Sequence, residues 1–246
     1  MKKILLIGGE GYIGKSLQDF FLKKKFQIIS FDNLIYGQKF TRKKKEKNLK
    51  FIKGDIRNNN DVNNILKIKY DAIVLLAGLV GDPITKKYKT LSKSINKESL
   101  IKLIKKIYLS ENSKKFIFIS TCSNYGLSKS KYLTETNKLR PLSHYARCKV
   151  DVEKFILKLK KKNSFNPTIL RFATAFGLSD RMRYDLTINQ FVFELYKKGF
   201  IQVYDFNTWR PYCHVKDFAR LINKVISAKN SLTSFQIFNA GGNKNN

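Results

Sequence analysis

The chain has 246 residues, of which 43% are apolar, enough for one large domain or for a domain with a small additional lobe. No run approaches the roughly 18 apolar residues of a membrane span, and three widely spaced cysteines and two histidines argue against a disulfide framework or a histidine-built metal site. We therefore expect a globular protein of the reducing cytoplasm, without a metal and without a membrane partner.

The charge is the unusual part of the composition. Subtracting 18 acidic from 49 basic residues leaves a formal net charge of +31. Such a charge can serve nucleic-acid binding through phosphate neutralisation, but the lysines are spread in short runs such as 23–25 and 160–162, with no basic–aromatic recognition motif. We therefore favour a positive field that attracts an anionic substrate over a nucleic-acid partner.

Apolar runs predict the first six strands at Lys3–Ile7, Gln27–Asp32, Lys50–Lys53, Asp71–Leu76, Lys115–Ser120 and Thr168–Phe172. Helical patterns lie between them near 12–23, 60–67, 94–109 and 144–161. The apolar part of the first strand is too short for the core of a signal peptide, and no cleavage pattern follows it. This alternation predicts an α/β fold, a Rossmann-type doubly wound parallel sheet with helices on both faces.

After about residue 173 the alternation is less regular and arginines occupy the loops. Further elements are predicted as a helix near 185–198, a strand at 201–204, a helix near 215–228 and a strand at 235–239. We assign residues 1–172 to a dinucleotide-binding domain and residues 173–246 mostly to a small, interleaved substrate-binding lobe. The last residues after Ala240 read as a loop that follows a strand, so we expect this C-terminal lobe to be incomplete.

A glycine-rich turn follows the first strand. Gly8, Gly11 and Gly14 bracket Tyr12 and Ile13 at the point where the strand gives way to a helix. Without a Cβ atom the backbone can turn sharply and approach a phosphate closely. The free N–H groups and the positive dipole end of the helix point at the same place. This pattern predicts a phosphate-binding turn for a dinucleotide.

Two acids follow the next strands. Asp32 ends the second strand, where a carboxylate can accept hydrogen bonds from the adenosine ribose and repel a 2′-phosphate, which favours NAD over NADP. The basic run from Arg42 to Lys45 can compensate a 2′-phosphate in principle, but a solvated loop is our preferred interpretation. Asp55, after the third strand, is placed to meet the adenine amino group.

Hydroxyl groups stand at the end of the fifth strand, where ligands bind in open α/β sheets. Thr121 is among them, and Tyr145 and Lys149 follow on a helix for which Ser143 is a suitable N-cap. A tyrosine and a lysine four residues apart share one helix face. A nearby ammonium lowers the pKa of a phenol from about 10. We predict Tyr145 as general base, Lys149 as its electrostatic support and Thr121 as the hydroxyl that orients the substrate.

These pieces, taken together, resemble the NAD-dependent nucleotide-sugar epimerase/dehydratase family of the extended short-chain dehydrogenases/reductases. The resemblance covers almost the whole chain in the family's order. Its motifs are Gly8-Gly9-Glu10-Gly11-Tyr12-Ile13-Gly14, Asp32-Asn33-Leu34, Gly54-Asp55-Ile56, Leu76-Ala77-Gly78, Ser120-Thr121, Tyr125-Gly126, Tyr145-x-x-x-Lys149, Leu170-Arg171-Phe172 and the run from Arg210 to Asp217.

The resemblance implies an enzyme that binds NAD and a nucleotide-diphosphate sugar, and a homodimer is common in the family. Tyr145 is expected to take a proton from a sugar hydroxyl while hydride passes from the same carbon to NAD, and Lys149 is expected to contact the nicotinamide ribose. Further cofactor contacts are implied for Asn33, Ile56, Leu76, Ala77 and Gly78. Substrate contacts are implied for Ser123, Arg171, Thr174 and Arg210, the last with the diphosphate.

The chain departs from the family at two positions that bear on the reaction. Sugar-nucleotide 4,6-dehydratases of the family have an Asp-Glu pair after the catalytic threonine, whereas this chain has Cys122 and Ser123. We therefore favour epimerisation at C4 of the sugar over dehydration, with a nucleotide-sugar reductase or dehydratase as the alternative. A non-enzymatic NAD-binding scaffold or nucleic-acid binder is a further alternative. Thr174 replaces an asparagine of many relatives, which leaves the sugar open.

Overall fold

The computed structural model describes residues 1–37, 46–128, 132–162, 164–204 and 206–242. The basic run from Arg42 to Lys45 lies outside these residues. The strands in the described part of the chain are β1 Lys3–Ile7, β2 Gln27–Asp32, β3 Leu49–Lys53, β4 Ala72–Leu75, β5 Phe116–Thr121, β6 Pro167–Phe172, β7 Thr174–Phe176, β8 Tyr212–His214 and β9 Gln236–Ala240.

The helices are α1 Tyr12–Lys23, α2 Asn59–Ile65, α3 Asp82–Lys87, α4 Lys89–Lys93, α5 Leu100–Ser110, α6 His144–Lys158, α7 Thr187–Lys198, α8 Val215–Ser227 and α9 Asn230–Thr233. A π-helical turn, Ser94–Ser99, joins α4 to α5, and a 3-10 turn, Cys122–Tyr125, follows β5. Over the described ranges, the helices are too short or too polar to cross a membrane.

Seven strands form one parallel sheet in the order β3-β2-β1-β4-β5-β6-β9. The apolar side chains of β1 are fully buried, because the strand lies in the interior of the sheet between β2 and β4. The Rossmann-type doubly wound sheet predicted from the sequence is confirmed. This order brings the carboxyl ends of β1, β2, β4 and β5 to one edge, where the site lies.

Two hydrophobic layers cover the sheet, one on each face. On one face α1 and α8 pack together, and the Phe172 ring of β6 stacks on the Phe218 ring of α8 with centroids 3.7 Å apart. On the other face α2, α5 and α6 bury leucine and isoleucine side chains such as Leu103 and Ile156. Both faces of the strands are therefore dry, which explains their almost continuous apolar sequences.

The strand predicted at 201–204 is wrong. This segment alternates apolar and polar residues, but it has no strand partner among the described residues and its side chains are largely exposed. The second sheet is instead the parallel pair of β7 and β8. From the C-terminal part of the chain, β9 adds to the main sheet beside β6. The division into domains at residues 172 and 173 stays a prediction.

Candidate functional site

The carboxyl ends of the central strands and the loops after them border one cleft. Its lining includes all the residues that the sequence suggested for cofactor contact, namely Gly8, Gly11, Tyr12, Ile13, Gly14, Asp32, Asn33, Asp55, Ile56, Leu76, Ala77, Gly78 and Lys149. The same lining includes the proposed catalytic side chains Thr121 and Tyr145, and two of the four substrate candidates, Ser123 and Thr174. The fold thus brings into one cleft residues that lie more than 160 positions apart in the sequence.

Gly8, Gly11 and Gly14 of the glycine turn have different surroundings. Gly8 has a positive φ of 85°, and a Cβ there would lie 2.5 Å from the Ala77 nitrogen. A Cβ on Gly14 would lie 2.3 Å from the Gly9 carbonyl oxygen, so this glycine permits close packing of α1 on the turn. A Cβ on Gly11 would meet only the Gly8 oxygen, at 3.4 Å. Close contacts within the protein explain why positions 8 and 14 are glycines. They do not explain the glycine at position 11, where a ligand would need the space.

The N-terminus of α1 faces the cleft without a side-chain cap. Gly11 is its N-cap residue, and in the described part of the chain no side-chain hydrogen bond caps this end of the helix. Uncapped N–H groups and the helix dipole together favour an anion. The turn therefore fits the diphosphate of a dinucleotide, in backbone conformation, in space and in charge.

A buried carboxylate supports the turn from below. Glu10 is fully buried and forms an ion pair with Lys15 of α1. It accepts hydrogen bonds from Ser30 Oγ at 2.5 Å and from Gln18 Nε2 at 2.8 Å, and Gln18 also donates to the Gly9 carbonyl at 2.7 Å. This network joins the turn to β2 and α1, so the backbone of the turn is held in place before a ligand arrives.

The two acids of the cleft have different surroundings. Asp32 accepts hydrogen bonds from the backbone N–H groups of Glu10 at 3.0 Å and Leu34 at 2.8 Å, and burial raises the pKa of its carboxyl group despite them. Burial also acts on Asp55, but hydrogen bonds from Arg57 and Asn33 outweigh it and lower the pKa of Asp55 to about 2. Asp55 is therefore ionised throughout the physiological range.

Tyr145 and Lys149 lie one turn apart on α6. Ser143 caps the helix by accepting a hydrogen bond from the Ala146 N–H group at 3.2 Å. The Lys149 Nζ atom lies 5.7 Å from the centroid of the Tyr145 ring and donates a hydrogen bond to the Ile119 carbonyl of β5 at 2.9 Å. This hydrogen bond fixes α6 against the strand that carries Thr121.

Lys149 is 2% exposed, and burial lowers its pKa to about 8, against the smaller opposite effect of the Glu153 carboxylate one turn further on. Thr121 ends β5, and its Oγ1 atom accepts a hydrogen bond from the Ser123 N–H group at 3.2 Å. A phenol, a buried amine of lowered pKa and a hydroxyl are thereby assembled at the edge of the sheet, an arrangement suited to proton transfer.

Two substrate candidates lie outside the lining of this cleft. Arg171 is buried, and its guanidinium forms an ion pair with Glu153 at 2.8 Å and hydrogen bonds to the Tyr125 hydroxyl at 2.8 Å and the Glu135 carbonyl at 3.1 Å. These contacts use the hydrogen-bond donors of Arg171 to hold β6 against α6 and the loops beside the site. Arg210 is exposed, but its charge acts on the Cys122 thiol, so it lies near the outer end of β5.

The structure adds residues that the sequence treated as secondary or passed over. Arg181 and Arg183, on the loop between β7 and α7, both line the cleft, as does Tyr36. Burial lowers the pKa of Arg183, but its hydrogen bonds to Asp185 outweigh this, and Tyr145 contributes to the net increase, so Arg183 lies within electrostatic range of the phenol. The sequence marks Arg181 and Arg183 only as weaker substrate candidates, in a loop that is expected to cover the substrate.

The loop that carries these arginines is fastened to α1. The Tyr12 hydroxyl donates a hydrogen bond to the Gly177 carbonyl at 2.6 Å and accepts one from Asn189 Nδ2 at 3.0 Å. Ser179 Oγ donates to the Tyr12 carbonyl at 2.7 Å. Asn189 also accepts from the Gly177 N–H group at 3.0 Å and donates to the Arg183 carbonyl at 3.0 Å. Tyr12 therefore joins the glycine turn to the opposite wall of the cleft.

Among the residues that the structure describes, no three His, Cys, Asp or Glu side chains are grouped so that they could hold a metal ion. The chemistry of the cleft is instead that of hydroxyl, amine, guanidinium and carboxylate groups around a phosphate-binding turn.

Comparison with known proteins agrees with this geometry. The family model described as "NAD dependent epimerase/dehydratase family" matches residues 4–241. A UDP-glucose 4-epimerase of Lactobacillus helveticus is 30% identical over 180 residues, which are 72% of this chain and 53% of that protein. The chain spans about half the length of the curated relatives it matches first.

Two solved structures show the same fold. The UDP-N-acetylglucosamine 4-epimerase from Methanobrevibacter ruminantium M1 in complex with UDP-N-acetylmuramic acid is 24% identical, with a TM-score of 0.85 over 98% of this chain and 76% of that one. The UDP-glucuronic acid 4-epimerase from Bacillus cereus in complex with UDP-glucuronic acid and NAD is 23% identical, with a TM-score of 0.80 over 98% and 78%. With the family match over residues 4–241, the chain belongs to the NAD dependent epimerase/dehydratase family.

Proposed function

We propose that the chain binds NAD and acts on a nucleotide-diphosphate sugar, and that it epimerises the sugar at C4. The observation that carries this proposal is the presence of Thr121, Tyr145 and Lys149 in the same cleft as the uncapped N-terminus of α1. Membership of the family and the similarity to a UDP-glucose 4-epimerase support the choice of reaction and substrate class.

The cofactor would be held along the glycine turn, with its phosphates at the N-terminus of α1 and its adenosine ribose at Asp32. Asp55 would meet the adenine, and Lys149 the nicotinamide ribose. Bound NAD supplies a hydride acceptor that can return the hydride to the other face of the sugar. The chain itself would position the cofactor and the sugar, exclude water from them and provide a path for one proton.

The proton path follows from the contacts at α6. Tyr145 would take the proton of the sugar C4 hydroxyl, because Thr121 orients that hydroxyl and the nearby Lys149 ammonium favours the phenolate. Lys149 can do so without moving, since its amine is anchored on the Ile119 carbonyl. Ser123 and Thr174 line the cleft and would contact the sugar nucleotide, and the diphosphate would meet Arg210.

Cys122 is the observation that weighs against dehydration. Burial raises the pKa of its thiol, so the group is neutral at physiological pH and is a poor replacement for a carboxylate in the elimination of water. A reductase remains the nearest alternative, because it would use the same phenol, amine and hydroxyl. An NAD-binding scaffold and a nucleic-acid binder are the alternatives without turnover.

The experiment is an incubation of the NAD-loaded protein with a panel of UDP-, dTDP-, GDP- and CDP-sugars, followed by identification of the products. An epimerase gives a sugar of inverted configuration without net formation of reduced nicotinamide, whereas a reductase consumes it steadily. If no sugar is turned over and the protein instead gives a salt-sensitive mobility shift of nucleic acid, the protein is a nucleic-acid binder and not an enzyme.

Assembly and location complete the proposal. The three cysteines, Cys122, Cys148 and Cys213, are free thiols, which favours a reducing cytoplasm. A homodimer is proposed from the resemblance to the family, and light scattering of the purified protein tests it.

A further inference from the structure

Two arginines on the loop between β7 and α7 have different partners. Arg183 binds Asp185 with two hydrogen bonds, Nε to Oδ1 at 2.7 Å and Nη2 to Oδ2 at 2.5 Å. Arg181 lies half-buried two residues earlier, and no acceptor among the described residues takes a hydrogen bond from its guanidinium. A half-buried guanidinium on the lining of the cleft, with donors that no acceptor in the described residues uses, is available to an anionic ligand.

The Arg181 guanidinium lies at the dinucleotide end of the cleft. It is stacked over the Tyr36 ring, with its central carbon 4.7 Å from the centroid. Asp32 at the end of β2 is within its electrostatic range, whereas the other arginine, Arg183, is the one within range of Tyr145. Burial and the neighbouring charge of Arg183 lower the pKa of Arg181 and outweigh the opposite effects of Tyr36, Asp185 and Asp32.

Tyr36 holds this guanidinium in place across the glycine turn. Its hydroxyl accepts a hydrogen bond from the Val80 N–H group at 2.8 Å, so the side chain bridges the loop after β2 and the loop after β4. These strands flank β1, whose carboxyl end carries the turn. The bridge therefore joins loops on either side of the strand that carries the turn, and Arg181 is stacked on the bridge.

The loop itself cannot carry Arg181 far away. Gly177 and Ser179 are both hydrogen-bonded to Tyr12 of α1, and Asn189 holds the Arg183 carbonyl. The position of Arg181 relative to the turn is thus fixed on both sides by buried or half-buried hydrogen bonds.

We propose that Arg181 is a further cofactor-binding residue, whose guanidinium binds a phosphate of the dinucleotide while Tyr36 holds it over the glycine turn. The proposal rests on the proposed binding of NAD. It assigns to the C-terminal part of the chain a direct part in holding the cofactor, in addition to its expected part in holding the sugar.

The test measures the binding of NADH and of ADP-ribose to the full chain, by the fluorescence of NADH and by calorimetry. Arg181→Met is expected to weaken both ligands by about tenfold to a hundredfold, the effect of one charge-assisted hydrogen bond to phosphate. Tyr36→Phe removes the hydroxyl bridge but keeps the ring, and about a threefold loss is expected. Arg220→Met and Tyr196→Phe are matched controls on exposed helix surfaces and should leave both dissociation constants unchanged.

A second arm separates the cofactor phosphates from the diphosphate of the sugar nucleotide. UDP binding to the NADH-saturated protein should be the same for Arg181→Met and the wild type. Unchanged binding of NADH and ADP-ribose to Arg181→Met overturns the proposal, as does a loss confined to UDP. If the wild-type protein itself binds neither NADH nor ADP-ribose, the proposed function fails first, which is a different result from normal binding by both wild type and variant.

Discussion

Tyr145 is the residue on which the proposed reaction depends most directly. Replacement by phenylalanine keeps the ring on α6 but removes the proton acceptor. We expect turnover to fall by about a hundredfold to ten-thousandfold, the range of one acid–base group, with NADH affinity within about twofold of wild type. Steady-state rates and NADH titration measure the two quantities. Tyr196→Phe, on exposed α7, is the control, and full activity of Tyr145→Phe contradicts the mechanism.

The burial of Lys149 predicts how the free energy of unfolding depends on pH. Its pKa falls from 10.5 to about 8 on folding, so between these values the unfolded chain binds more protons than the folded one. The cost of burying the charge is therefore present below about pH 8 and disappears as the pH rises towards 10.5. Relative to Lys149→Met, the wild-type free energy of unfolding should increase by up to about 3 kcal/mol over this window.

Denaturant unfolding of both proteins at pH 7.5, 9 and 10 measures this difference. Other titrating groups are shared by the two proteins and cancel. A difference that stays constant with pH would mean that the amine is not buried in its charged form.

At the scale of single elements, the glycine turn separates packing from binding. Gly14→Ala forces a Cβ against the Gly9 carbonyl and should reduce both stability and NADH affinity. Gly11→Ala meets only an ordinary contact and has a φ of −75°, so its thermal stability should be near that of the wild type while NADH affinity falls at least tenfold. Melting curves and NADH titrations test the pair. Normal NADH binding by Gly11→Ala would show that the phosphates lie elsewhere.

The ion pair between β6 and α6 favours a structural role for Arg171 over the predicted substrate contact. Arg171→Met leaves the buried Glu153 carboxylate without its cation, at an expected cost of about 3–5 kcal/mol. The double variant Arg171→Met/Glu153→Gln removes the orphaned charge and should recover a large part of that stability. Urea unfolding measures both. A variant of normal stability with a raised KM for the sugar nucleotide would restore the original interpretation.

For the whole molecule, the net charge of +31 should govern encounter with anionic ligands. We expect kcat/KM for a nucleotide sugar to fall several-fold between about 20 and 300 mM salt. The Debye length shortens over this range, so the positive charges of the surface no longer attract an anionic substrate from a distance. Initial rates at low substrate measure the effect, and kcat at saturation should change little. A kcat/KM that does not respond to salt contradicts electrostatic steering.

The sequence predicts the strands of the main sheet better than the short strands and loops of the C-terminal part of the chain. The bounds of β1 and β2 are predicted to the residue, because each is a mainly apolar run that stops at a glycine or an acid. The three-residue strands β7 and β8 are too short to leave a periodic signal, and the segment 201–204 has the pattern of a strand without a partner. Whether a pattern becomes a strand depends on a neighbour that the local sequence does not specify.

The same limit applies to the site. Local patterns predict Thr121, Tyr145 and Lys149, since the proposed chemistry needs a hydroxyl at the end of a strand and a tyrosine and a lysine four residues apart on one helix face. Arg171 has the right type and position along the chain, but its direction depends on Glu153, a residue of another element. The bridge from Tyr36 to Val80 joins two loops through a backbone N–H group, for which sequence carries no signature.

The bond between Tyr12 and Asn189 joins positions that are 177 residues apart in the chain. Because synthesis runs from the N-terminus, the glycine turn leaves the ribosome well before the loop that fastens to it. Contacts this distant form late, after the loop-closure entropy has been met by nearer pairings. A nascent chain can therefore pair β1, β2 and β4 before Tyr12 and Asn189 can meet, and the hydrogen bond that fastens the wall of the cleft forms after that pairing.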